Sequence, residues 1–206
     1  MSTDEDAGRV LTPEARLFHP HLFEPRTEVN GKKLKDPKYE AQLIFDPNQI
    51  EALKAAAVVV ARAKWPTVDL KTLKWPFKSG SVINQKREGK GKKPYPQIEG
   101  MVVMTTKSSA EFKPQVIDAK GQEIVNPTLV YGGCYGYAEV KLIAYEGNDD
   151  DIKPGVTAYI NMFLKSRDGD RIGGRDAKAT FAGIIGKLSA EDPTKGVDAD
   201  ETGLPF

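Results

Sequence analysis

From Gly136 to Glu146 the chain alternates strictly. Tyr137, Glu139, Lys141, Ile143 and Tyr145 fall on one side, and Ala138, Val140, Leu142 and Ala144 on the other. A period of two with one apolar side is the pattern of a half-buried strand. Val156 to Ser166 repeats it and runs into Asp168-Gly169, which predicts a tight hairpin. Tyr39 to Phe45, closed by Asp46-Pro47, and Gly100 to Lys107 read as further strands. Short pieces at Gln115–Asp118 and Gln122–Val125 join across Lys120-Gly121. The first strand is expected in Ala15–Phe18, followed by a proline-broken loop from His19 to Pro25. Only Asn48 to Lys64 reads as a long helix. Asp46 or Asn48 can cap it, Glu51 sits in its first turn and Trp65-Pro66 stops it. Its valines Val58, Val59 and Val60 lower intrinsic helicity, so packing has to support it. Ala177–Leu188 predicts a short closing helix, and Leu70–Pro96 reads as basic and irregular.

Many short strands with one or two helices argue for an all-β-dominated fold. The expected architecture is an OB-fold-like five-stranded Greek-key barrel, although periodicity alone does not separate barrel from sandwich. At 206 residues the chain accommodates one domain with a substantial core. The expected organisation is a flexible leader at 1–9, a folded domain at 10–189 and a disordered acidic tail at 190–206.

Charge sharpens that division. The overall balance is +1, but residues 9–189 alone carry +8. A basic body beside an acidic tail is the signature of a polyanion binder. The positive charge concentrates between Arg62 and Lys93, where ten bases face only Asp69 and Glu88. Aromatic residues interleave with it: Lys74, Trp75, Phe77, Lys78, Lys86, Arg87, Lys90, Lys92, Lys93 and Tyr95 are the candidate contacts. Cations meet phosphates and aromatic faces stack on unpaired bases, so the combination favours single strands over duplex. Gly80, Gly89 and Gly91 predict a flexible segment here. The alternative for Trp75 is a place in the core. A second aromatic group, Tyr131, Tyr135 and Tyr137, alternates among glycines, either as a stacking platform or as a tyrosine-faced strand with a bulge.

The tail carries Asp198, Asp200 and Glu201 ahead of Leu204, Pro205 and Phe206. An acidic, apolar-poor run closing on a hydrophobic tip suits capture by a basic, apolar pocket on a partner. With Trp75-Pro-Phe-Lys-Ser-Gly80, Tyr131-Gly-Gly-Cys-Tyr-Gly136, Pro154-Gly-Val-Thr-Ala-Tyr159 and Arg171-Ile-Gly-Gly174, it resembles a family of phage single-stranded DNA-binding proteins. That resemblance implies a divergent OB fold, sequence-tolerant binding of single-stranded DNA in replication, recombination and repair, and recruitment of replication or repair proteins through the tail. A homodimer is compatible with it.

Other classes fit less well. The single cysteine, Cys134, excludes an internal disulfide, and with only His19 and His21 beside it no zinc site is expected. No cofactor or metal is expected. The leader lacks a secretory pattern and the longest apolar run, Ala55–Ala61, is too short to span a bilayer. A cytoplasmic protein without membrane association is therefore expected. The runner-up is a metal-dependent nuclease or junction resolvase using Asp168, Asp170 and Asp176. It is disfavoured because Asp168-Gly169-Asp170 has the composition of a turn, while metal-assisted cleavage needs convergent carboxylates on a rigid frame.

Overall fold

A computed structural model describes residues 8–29, 31–148, 152–173 and 181–186. Among the described residues up to Ile172, eight strands and two α-helices follow in the order β1 (Arg9–Leu11), β2 (Ala15–Val29), β3 (Lys32–Phe45), α1 (Glu51–Lys64), β4 (Phe77–Ser79), α2 (Gly80–Glu88), β5 (Val102–Ser109), β6 (Gln115–Ile117), β7 (Tyr135–Tyr145) and β8 (Gly155–Arg167). Five of them close on themselves in the order β7-β2-β3-β5-β8, with β7 pairing β8 to complete the barrel. All pairs around the ring are antiparallel except β5–β8, where Thr106 and Lys107 lie beside Ala158 and Tyr159 in parallel. β1 adds to β7, β6 to β8, and β4 to β5. The expected five-stranded OB-like barrel is the observed one.

The alternation read from sequence decides which side chains fill it. Ala41, Leu43 and Phe45 of β3, Met104 of β5, Ala138, Val140 and Leu142 of β7, and Ala158, Ile160 and Phe163 of β8 are buried together. Fully burying residues such as Phe45 or Phe163 contributes about 1.5–3 kcal/mol each over leaving them exposed. Helix α1 places Leu53, Ala57 and Ala61 at four-residue spacing, so they share one face, and that face packs into the same core.

Several elements depart from the sequence expectation. Strand β2 continues through His19–Pro25 instead of breaking. Its register to β3 shifts between Phe18 and His21 and again between His21 and Arg26. Bulges absorb Pro20 and Pro25, which cannot donate to a ladder. The bulge also holds His19 at a φ of 47°, a left-handed conformation uncommon for a residue with a side chain. Before α1, Asp46 caps a separate 3-10 turn, Pro47–Gln49, by accepting from the Asn48 N–H at 2.9 Å. The α-helix proper begins later, at Glu51. Gln122–Val125 forms only a bridge between Glu123 and Ile117. Among the described residues no strand follows Asp168-Gly169, so the hairpin expected there is not formed. Residues 170–172 instead cross the Gly132-Gly133 turn, with the Ile172 N–H donating to the Gly132 carbonyl at 2.7 Å.

The largest departure is in Leu70–Pro96, which is ordered. Lys86-Arg87-Glu88 is the end of α2, not the start of a loop. Gly80 opens that helix, and a Cβ there would lie 1.6 Å from the Ile98 carbonyl oxygen. It is a close-approach glycine and not a source of flexibility. Helix α2 covers a second, smaller apolar cluster on the outside of the barrel, built from Phe18, Ile44, Val103, Ile98 and Ile172, with Ile83, Tyr95 and Met101 against it.

One compact unit ends at Ile172 and another begins at Gly173. Of the latter, residues 181–186 are helical. The rest of the expected closing helix, Ala177–Leu188, lies outside the described residues.

Candidate nucleic-acid interface

Beyond the patch covered by α2, the outer face of β2, β3 and β5 turns polar. Because Ala41, Leu43, Met104 and Thr106 point inward, their neighbours Glu40, Gln42, Thr105 and Lys107 must point outward. Register sets Gln42 beside Thr105, and Glu40 between His21 of β2 and Lys107 of β5. The face is hollowed into two adjoining clefts. One, about 290 Å³, is lined by His19, His21, Arg26, Glu40, Gln42, Thr105, Arg87 and Tyr95. The other, about 310 Å³, is lined by Gln42, Thr105, Lys78 of β4, Val82, Ile83, Lys86 and Arg87 of α2, and Lys90 and Lys92 just beyond the helix. Gln42, Thr105 and Arg87 border both, so the clefts form one groove.

Helix α2 is the cationic wall of this groove, and Asn84 ties the wall to the loop behind it. Asn84 is buried; its Nδ2 donates to the Tyr95 carbonyl at 3.1 Å and to Glu99 Oε2 at 2.7 Å, and its Oδ1 accepts from the Tyr95 N–H at 2.9 Å. Held at both backbone groups, Tyr95 presents its ring 3.8 Å below the Arg87 guanidinium, whose Nε is anchored on the Lys93 carbonyl at 2.9 Å. Edge contacts to Phe18 and His19 complete the setting of the ring. A guanidinium flattened on an aromatic ring offers both a phosphate partner and a plane on which a base can stack.

Desolvation first, and neighbouring positive charge second, disfavour the protonated forms of the groups at the groove. Crowding by protein withdraws water from the His19 imidazole and lowers its pKa below the ordinary value, and the positive charge of Arg26 and Arg87 adds to the shift. His21 is lowered for the same leading reason, with Arg26 next. Lys107 is lowered by burial and by Lys38. A polyanion entering this groove therefore meets groups whose charged forms it would stabilise.

Of the residues singled out from sequence, Lys78, Lys86, Arg87, Lys90, Lys92 and Tyr95 converge on the groove. Lys93 lies exposed beside it. Trp75 and Phe77 do not reach it. Both are half-buried against the barrel core, Trp75 Nε1 donates to the Leu70 carbonyl at 3.2 Å, and the two line a separate apolar cavity of about 310 Å³ with Lys54 and Val58. Lys74 lies exposed, its backbone bridging to Gly155. Tyr131 donates its hydroxyl hydrogen bond to Asp168 Oδ1 at 2.8 Å and carries Arg171 4.1 Å above its ring. Tyr135 carries Arg167 at 3.5 Å, with Arg16 at 5.7 Å. Tyr137 is exposed. Asp198, Asp200, Glu201, Leu204, Pro205 and Phe206 lie outside the described residues. Sequence reasoning missed His19, His21, Arg26, Gln42 and Thr105. Only Gln42 had a legible signal, its polar position within the Tyr39–Phe45 strand.

For the enzymatic alternative, Asp168 is occupied by Lys165 at 2.7 Å and by Tyr131, and Asp176 lies outside the described residues. Among the described residues no three His, Cys, Asp or Glu side chains gather as a metal site, and no helix is long and apolar enough to cross a membrane.

The model of the Enterobacter phage Enc34 ssDNA-binding protein family matches residues 8–192. The chain belongs to that family. Solved structures agree on the fold. The Enc34 single-stranded DNA-binding protein, in complex with ssDNA, is 21% identical with a TM-score of 0.61, covering 81% of this chain and 90% of its own. Protein gp2.5, a single-stranded DNA-binding protein encoded by bacteriophage T7, is 12% identical with a TM-score of 0.54, covering 80% and 94%. No curated protein matches the chain. In this family member the groove lies on the outer face of β2, β3 and β5, with α2 as one wall.

Proposed function

We propose that this protein binds single-stranded DNA along the β2–β3–β5 groove with little base preference, shielding it during phage replication and recombination in the bacterial cytoplasm. It acts as a binder and not as an enzyme. The groove carries the reading: Lys78, Lys86, Lys90, Lys92, Arg26 and Arg87 line it together with Tyr95, and family membership supports it. Cations track the phosphates, and the Arg87–Tyr95 stack offers a plane that every base can use. Tyr131 with Arg171, Tyr135 with Arg167, and the exposed Tyr137 extend the contact surface onto the start of β7 and the turn before it. The acidic tail, through Asp198, Asp200, Glu201, Leu204, Pro205 and Phe206, recruits replication or repair proteins.

Fluorescence-anisotropy titration of labelled single-stranded and duplex oligonucleotides over a salt series tests this. Single strands are expected to bind far more tightly than duplex. The logarithm of affinity should fall with log salt at a slope of about 0.7 per phosphate neutralised. Equal affinity for duplex of matched length, or a flat salt series, would reject the proposal. Magnesium-dependent degradation of the labelled strand would reject the non-enzymatic part alone.

A further inference from the structure

Among the described residues that line the two clefts, Glu40 is the one carboxylate. Its position is unfavourable for an anion-binding surface unless it has a task there. Arg26 Nη1 pairs with Glu40 Oε2 at 3.3 Å, while Arg26 Nε donates to the Glu28 carbonyl at 3.1 Å. His21 and Lys107 flank Glu40 on the two adjacent strands, and Lys38 lies two residues away on its own strand. Lys107 leans toward the Tyr159 ring on β8, 5.7 Å away. Both members of the Arg26–Glu40 pair are about one-third exposed, 34% each, so the pair is open to an incoming phosphate.

Resting on the single-strand reading above, we infer that Glu40 is a resident counter-ion: it occupies Arg26 in the free protein and is displaced by a DNA phosphate on binding. Two consequences follow from its chemistry. With the Glu40 carboxylate left beside it, an Arg26–phosphate contact leaves the local negative charge uncompensated, so the DNA keeps a condensed cation there and the contact adds little to the salt slope. Displacement also leaves Glu40 unpaired near the phosphate backbone, which weakens the complex and speeds its dissociation. A protein that must be stripped from single strands during synthesis gains turnover from such a brake without losing its cationic wall.

The test is Glu40→Gln, which keeps shape and removes charge, titrated as full-length protein against dT, dC and dA oligonucleotides over a salt series. Exposed ion pairs are worth up to about 1 kcal/mol, so affinity at low salt should rise by up to about five-fold, equally for all three oligonucleotides. The salt slope should steepen by about 0.7, the value for one extra phosphate neutralised with ion release. In an Arg26→Ala background Glu40→Gln should raise affinity less, because only charge repulsion is relieved and no arginine is freed; an equal or larger gain there overturns the displacement. Unchanged affinity and slope in Glu40→Gln overturns the inference while leaving the groove reading intact. Weakening confined to dC also overturns it, because a carboxylate that accepts from the cytosine amino group is reading a base. Wild-type protein with no single-strand affinity defeats the underlying function instead. Matched melting temperatures of wild type and variant keep folding out of the comparison.

Discussion

Replacing Asn84 by Ala tests whether the groove wall is positioned by one buried amide. The substitution removes three hydrogen bonds, at 3.1, 2.7 and 2.9 Å, and deprives the Tyr95 N–H and carbonyl of their shared partner. A buried polar group left unpaired costs about 1–3 kcal/mol, and the partial exposure of the Tyr95 loop lets water recover some of that. A net loss of about 2 kcal/mol is expected, which for a domain of this size lowers Tm by about 4–8 °C. The effect on DNA should exceed that of general loosening, because the Arg87–Tyr95 stack depends on the loop. Affinity is expected to fall at least about five-fold, the equivalent of 1 kcal/mol, at a temperature where the variant is fully folded. Asn84→Asp separates the parts. It retains an acceptor for the Tyr95 N–H but sets a carboxylate against the Tyr95 carbonyl and Glu99. Its defect should shrink as pH falls and one carboxyl protonates. Differential scanning calorimetry and anisotropy titration read both quantities. A Tm within about 1 °C of wild type would refute the stability argument. A lowered Tm with unchanged affinity would refute the positioning of Tyr95.

Four further outcomes are expected. Gly80→Ala meets the Ile98 carbonyl at 1.6 Å and should detach α2 from the barrel, seen as loss of the cooperative melt or of α2 amide protection in hydrogen exchange; a wild-type melt would contradict it. Trp75→Ala should lower stability by about 2 kcal/mol, below the 3–5 kcal/mol of fully buried tryptophans, with affinity within two-fold; a ten-fold loss of binding with the fold intact would instead establish a stacking role. His19 has its folded pKa depressed by crowding, so the unfolded chain binds the extra proton: its contribution to stability is complete above about pH 6.5 and declines as pH falls toward the folded value. His19→Asn, which tolerates the left-handed backbone, should flatten that decline in a Tm-versus-pH series, and an unchanged profile would remove His19 as its source. Asp198, Asp200 and Glu201 resemble a short phosphate run tethered to a basic body and compete with DNA for it, so deleting residues 198–206 should tighten single-strand binding most at low salt, whereas Phe206→Ala should leave DNA affinity unchanged and weaken partner capture in a pull-down; truncation without effect on either would reject a role for the tail.

What sequence alone determined were the features with a local cause. Strands such as Tyr135–Tyr145 and Gly155–Arg167 announce themselves because one face must be apolar to be buried, and α1 because Leu53, Ala57 and Ala61 repeat at helical spacing. The basic, aromatic-studded stretch was legible from charge alone, and six of its candidate contacts do line the groove. Tertiary structure decided the rest. Lys86-Arg87-Glu88 lacks any apolar residue, so nothing local shows that it finishes a helix; that helix forms because Ile83, Ile98 and the outer face of the barrel supply an apolar seat. Trp75 and Tyr95 are equally aromatic and equally surrounded by lysines, yet one faces α1 and the other the groove, a choice made by strand pairing far away in sequence. The groove floor was hidden for the same reason. Glu40, Gln42, Thr105 and Arg26 are ordinary surface residues on three strands, and only the β2–β3–β5 register, which no single segment encodes, brings them side by side.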